Sequence, residues 1–113
     1  MTTNFEVLKS KLDKVKVTQT ELFYDGSITI DSDWIDSAGL YVYEKVQVIN
    51  LNNGERLETY VIPGERGSKC ICMNGGGARK AQVGDELIIL SYATIECTPF
   101  ALALHKPIIY HAK

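Results

Sequence analysis

Apolar residues alternate with polar ones in short runs through much of this chain. Glycine and turn residues break the runs, and the pattern predicts short strands. Over 11–18, Val15 and Val17 share one strand face, with Lys14 and Lys16 on the other. By the same parity Lys11 falls on the valine face, where an ammonium is costly to bury unless it meets an anion. A strand that begins after Lys11 would leave it in solvent instead. Residues 19–24 read as turn or short helix, Asp25-Gly26-Ser27 as a turn, and 27–30 as a strand. Asp31 or Ser32 can cap a short helix through Trp34, Ile35 and Ala38, which Gly39 stops. Val46, Val48 and Leu51 mark a further strand, and Asn53-Gly54 is a hairpin turn. On the return strand, 56–62, Arg56, Glu58 and Tyr60 share one face, and Leu57, Thr59 and Val61 the other.

The second half continues the pattern. Residues 63–67 form a loop, 70–73 a strand and 74–77 a glycine loop that leads into a brief helical stretch through Ala81. Val83-Gly84-Asp85 turns the chain into the most apolar strand, 87–90. The tail after Cys97 carries two prolines and gives no clear period. Many short strands with short helical connectors predict a mainly β fold, a small β-barrel, as a single domain over 1–113.

Composition narrows the function classes. The chain has 113 residues, one domain's worth, and a 45% hydrophobic content that excludes disorder over most of the length. A formal charge of −2 makes it a poor general binder of nucleic acid. No apolar run is long enough for a membrane-spanning helix. The first residues lack a basic start followed by an apolar stretch, so cytoplasmic residence is expected. Cys70 and Cys72 are one residue apart and Cys97 stands alone, which is neither a zinc-knuckle nor a thioredoxin-type spacing. Cys70 and Cys72 fit two small apolar residues on one strand face. His105 and His111 are the only histidines and have no partner at metal-ligand spacing, so no metal is expected.

Individual residues offer chemistry, each beside a structural explanation. The glycines at 75–77 expose consecutive backbone N–H groups that can cradle an anion, although glycines also make a tight turn. No Gly-Lys-Ser/Thr follows at P-loop spacing. Arg56 can fork a carboxylate, yet a solvated arginine is the common case. Tyr60 can donate a proton, and Thr59 has a hydroxyl, but both also simply suit strands. At Gly26-Ser27 a hydroxyl stands one peptide from the preceding carbonyl. In a strained, dry turn it can attack that carbonyl and move the acyl group from N to O. Elimination and hydrolysis would then leave a pyruvoyl group. Glycine before the serine removes a Cβ that would crowd the attack.

Several spaced motifs agree at once. Lys11-Leu12, Lys16-Val17-Thr18, Leu22, Tyr24-Asp25-Gly26-Ser27 and Ile30-Asp31 come first. Asn53-Gly54-Glu55-Arg56, Thr59-Tyr60, Glu65-Arg66-Gly67-Ser68, Asn74-Gly75 and Val83-Gly84-Asp85 follow in the same order. Together they resemble the pyruvoyl-dependent aspartate α-decarboxylases, which make β-alanine for pantothenate. The resemblance runs from about residue 9 to 95.

The resemblance implies a double-psi β-barrel and a homotetramer with sites between subunits. It implies a zymogen that cleaves itself at Gly26-Ser27 into chains 1–26 and 27–113. The longer chain would carry a pyruvoyl group made from Ser27, and no metal. Substrate L-aspartate would form a Schiff base with that group, whose conjugated imine takes up the electrons left by carbon dioxide. By position, Tyr60 matches the proton donor. Thr59 matches a substrate-binding residue, and also a hydroxyl that supports cleavage. Gly75, Gly76 and Gly77 match the substrate-binding backbone. Arg56 and Lys11 match the cations that meet the carboxylates, and Tyr24 and Asn74 line the site.

Some positions depart from the family pattern. The usual Gly-Ala-Ala is Gly-Gly-Gly here, and histidines common in the family are replaced by Phe23 and Asp13. The tail carries no transferable role. A non-enzymatic barrel that binds an anion or partner through the glycine loop is the competing class. A family member that cleaves slowly, or with a maturation helper, is a third option.

Overall fold

Along residues 3–112, which the computed structural model describes, the elements run in a simple order. They are β1 (Asn4–Lys16), β2 (Gln19–Glu21), β3 (Ser27–Asp31), α1 (Ser32–Ala38), β4 (Lys45–Asn50) and β5 (Arg56–Gly64). Then come β6 (Ile71–Asn74), a 3₁₀ segment (Gly75–Lys80), β7 (Glu86–Glu96), α2 (Pro99–Leu104) and β8 (Ile108–His111). The strands form one sheet in the order β2-β6-β3-β5-β4-β7-β1-β8.

Local chemistry builds these elements. Gly54, at φ +76°, closes the β4–β5 hairpin, as the Asn-Gly pair predicts. Asp31 caps α1 by accepting from the Asp33 N–H at 2.9 Å, and Gly39 ends the helix at φ +70°. The same Asp31 carboxylate accepts from the Gly67 and Lys69 N–H groups at 3.0 and 2.8 Å. One buried side chain thus ties the end of β3, the start of α1 and the loop before β6.

The core is filled by alternate residues of the strands. Leu12, Val15, Ile28, Ile30, Val46, Val48, Val61, Ile71, Met73, Leu87 and Ile89 are essentially inaccessible, with Trp34, Ile35 and Ala38 of α1 packed among them. Burying each aliphatic side chain stabilises the fold by roughly 1.5–3 kcal/mol.

The structure corrects four local expectations. Residues 19–21 are a strand parallel to β6 rather than turn or helix. Leu51 lies beyond β4 and is exposed. The glycines at 75–77 are themselves part of a 3₁₀ turn. Finally, the β1–β7 register shifts between Leu12 and Val15, with Lys14 in the left-handed region at φ +59°. Such a bulge inserts a residue and reverses strand parity. Leu12 and Asp13 are both buried, and Lys11 lies on the face opposite Leu12, not on the face of Val15 and Val17. The tail forms α2 and then β8, which pairs parallel to β1 from Ser10 to Asp13. His111 of β8 meets Asp13, Nδ1 to Oδ2, at 3.0 Å.

Candidate active site

Ser27 opens β3 directly after the exposed turn residues Tyr24, Asp25 and Gly26, and only 2% of its surface is accessible. Its neighbours on β3 are β6 on one side, antiparallel, and β5 on the other, parallel. The β6 ladder pairs Ser27 with Asn74. The Asn74 Nδ2 donates to Ser27 Oγ at 2.8 Å and to Thr29 Oγ1 at 3.0 Å. Asn74 Oδ1 accepts from the Cys72 thiol at 3.0 Å. Ser27 Oγ itself donates to the Asp25 carbonyl at 3.4 Å. Burial pushes the Cys72 thiol above its ordinary pKa, and the charges of Glu21 and Cys70 push the same way, so Cys72 stays a protonated donor.

Gly75 packs closely against the turn before Ser27. A Cβ there would lie 2.8 Å from Gly26 Cα and 2.9 Å from both Gly26 N and the Tyr24 carbonyl oxygen. Its φ of +68° disfavours other residues as well. The other two glycines are less constrained. Gly76 has open space around it, and a Cβ at Gly77 meets the flexible end of Met73 at 3.0 Å.

A cleft of about 490 Å³ opens beside this cluster, with Tyr24, Thr29, Cys70, Cys72 and Asn74 among its walls. Its charged lining residues are Glu21 and Glu65. The expected residues divide into two groups around it. Gly26, Ser27, Tyr24, Asn74 and Gly75 come together in one place. Thr59 and Tyr60 immediately precede Val61, which pairs with Ile28, so they approach the same end of β3 from β5. Thr59 is half-buried, whereas Tyr60 is exposed and packs its ring 6.2 Å from that of Tyr43. Arg56 lies at the opposite end of β5, exposed and paired with Ile49. Lys11 sits on β1, with β5, β4 and β7 between it and β3.

Thr29 and Cys72, which both hydrogen-bond Asn74, are the members of this cluster that sequence reasoning missed. Each stands two residues from an expected site residue on the same strand, so strand parity alone points them at Asn74 and Ser27. The described residues contain no cluster of His, Cys, Asp and Glu suited to a metal ion.

Comparison with known proteins places this geometry. The family model for aspartate decarboxylase matches residues 3–113. The aspartate 1-decarboxylase of Salinibacter ruber is 51% identical over 108 residues, which is 96% of this chain and 73% of that one. Those of Phocaeicola vulgatus and Coxiella burnetii are each 60% identical, covering 80% and 81% of this chain and 78% and 83% of theirs. Two rationally designed proteins of known structure, mkDPBB_sym_86 and mkDPBB_sym1, superpose with TM-scores of 0.51 and 0.50. They are 16% and 18% identical, cover 68% and 75% of this chain, and are themselves covered to 90% and 96%. That likeness identifies the fold as a double-psi β-barrel, as expected.

Proposed function

We propose, of a chain that belongs to the aspartate decarboxylase family, that it cuts itself between Gly26 and Ser27 and works through the carbonyl left on residue 27. Its reaction is the decarboxylation of L-aspartate to β-alanine, which supplies pantothenate synthesis.

One observation carries the cleavage step. Ser27 Oγ is buried, accepts from Asn74 Nδ2 at 2.8 Å and directs its own proton to the Asp25 carbonyl. A lone pair is left for the Gly26 carbonyl carbon. Oγ bonds to that carbon, the bond to the Ser27 nitrogen breaks, and the hydroxyl proton ends on the freed amine. Loss of the Cα proton of residue 27 then expels the Gly26 carboxylate. Water replaces the nitrogen as ammonia, and a pyruvoyl group caps an 87-residue chain beside a 26-residue one. Burial of Ser27 and the glycine-only approach of Gly75 both suit a group without side-chain bulk at this point. The pyruvoyl ketone supplies an electron sink for the pair released with carbon dioxide.

The chain's own residues handle the rest. Tyr60 returns a proton to the α-carbon, and Thr59 holds the substrate. Arg56 and Lys11 meet its two carboxylates, aided by the N–H groups of Gly75, Gly76 and Gly77, with Tyr24 and Asn74 alongside. The walls of the single-chain cleft carry Glu21 and Glu65, which repel a dicarboxylate. Three strands separate Lys11 on β1 from β3 along the sheet. Both facts support sites completed between subunits of a homotetramer. Residence in the cytoplasm fits the described residues, in which no helix is long and apolar enough to cross a membrane. A maturation helper would act on the turn before Ser27.

Intact-mass measurement and borohydride treatment with labelled aspartate test the reading together. Two fragments, with label fixed to the longer one, are expected. An unbroken chain that still consumes aspartate would overturn it.

A further inference from the structure

Asn74 stands at the centre of the cleavage cluster, but its amide can face either way. With Nδ2 toward Ser27, an N–H stabilises negative charge on Oγ as the hydroxyl loses its proton. With Oδ1 toward Ser27, a carbonyl oxygen would repel that charge. What selects between the two is the partner at the far end of the amide. That partner is Cys72, buried to 8% accessibility, with Sγ 3.0 Å from Oδ1. A thiol is a weak donor and a weaker acceptor, so it favours an oxygen over an NH₂ group.

We propose that Cys72 is a positioning residue for self-cleavage: its S–H holds the Asn74 amide with Nδ2 on Ser27 Oγ. The inference rests on the cleavage reading above. Thr29 Oγ1 reinforces it as a second acceptor for the same NH₂ group at 3.0 Å. The raised pKa of Cys72 keeps the proton on sulfur through the neutral range. Cys72 touches neither the scissile carbonyl nor the substrate in this role. It acts only through the rotamer of Asn74.

The test compares Cys72→Ser with Cys72→Ala in freshly made, uncleaved protein. The two substitutions remove similar volume, but only serine restores a donor. Intact mass follows fragment appearance, and brief neutral hydroxylamine treatment cuts the ester to release a hydroxamate ending at Gly26, a mass distinct from scission at Asn53-Gly54 or Asn74-Gly75, and so reports the first acyl shift. Cys72→Ala should slow ester formation roughly three- to tenfold, the loss of one neutral hydrogen bond. Cys72→Ser should match or exceed the wild-type rate. Should Cys72→Ala fail to fold, Cys72→Thr and Cys72→Val give the same comparison at larger volume, with threonine the faster. Equal rates within either pair overturn the positioning role while leaving the cleavage reading intact. A wild-type chain that forms neither ester nor fragments overturns the cleavage reading, and this inference with it.

Discussion

Asn74 donates one amide N–H to Ser27 Oγ at 2.8 Å across a two-strand ladder in which the two residues are register partners. The reacting hydroxyl is therefore held by regular secondary structure, not by a loop. Ser27→Ala should leave one unbroken chain with no decarboxylase activity, because no carbonyl can form. Two fragments from that variant, read by intact mass, would refute the cleavage scheme.

The same relationship predicts a graded result for the amide. Asn74→Ala removes the donor from a buried hydroxyl, a loss of about 1–3 kcal/mol. Cleavage should slow by roughly ten- to a hundredfold, measured as the half-time for fragment appearance. Unchanged cleavage would show that Asn74 only lines the cleft.

Much of this site could be read from the residues, and the exceptions have physical causes. Gly26-Ser27 falls at the turn its residues imply, because turn chemistry is local, whereas its meeting with Asn74 and Gly75 depends on a β3–β6 pairing across 47 positions that no local pattern carries. The strand face of Lys11 was not legible, because the bulge between Leu12 and Val15 shifts parity by one residue and no composition signal announces it. β8 was illegible because its residues are mostly exposed and its partner, β1, lies almost a hundred positions earlier. The Asp13–His111 contact across those two strands was hidden for the same reason.

Gly75 and Gly76 should separate sharply. Gly75→Ala forces a Cβ against Gly26 and Tyr24 backbone at 2.8–2.9 Å in a left-handed conformation, which costs about 1–2 kcal/mol before any clash. Cleavage should slow at least tenfold and thermal stability fall by several degrees. Gly76→Ala meets open space and should cleave at the parent rate. Equal effects from both substitutions would remove Gly75 as the support of the turn.

Tyr60 and Arg56 lie on the exposed face of β5 and are predicted to act after cleavage, not during it. Tyr60→Phe should still yield both fragments but lower kcat by about a hundredfold or more, the usual loss of a general acid. Arg56→Ala should raise KM with little change in kcat if it only binds a carboxylate. A normal kcat for Tyr60→Phe, or an unchanged KM for Arg56→Ala, would make that residue a bystander.

Asp31 sets the acid limit of this arrangement. Burial pushes its carboxyl pKa up, but the N–H groups of Gly67, Lys69 and Asp33, with the charge of Arg66, outweigh burial and hold it below the ordinary aspartate value. A lowered folded pKa stabilises the fold fully above the unfolded value of about 3.9, and that stabilisation is lost as pH falls through the lower folded value. Asp31→Asn keeps the shape but forfeits the charge. Its thermal midpoint should lie below wild type at neutral pH, with the gap closing below about pH 4. Because Asp31 fastens the end of β3 to the loop that leads into β6, acid should also loosen the ladder between Ser27 and Asn74. Cleavage should therefore slow in the same acid range as the midpoint falls. A gap that persists unchanged to pH 2 would show that the charge of Asp31 contributes nothing.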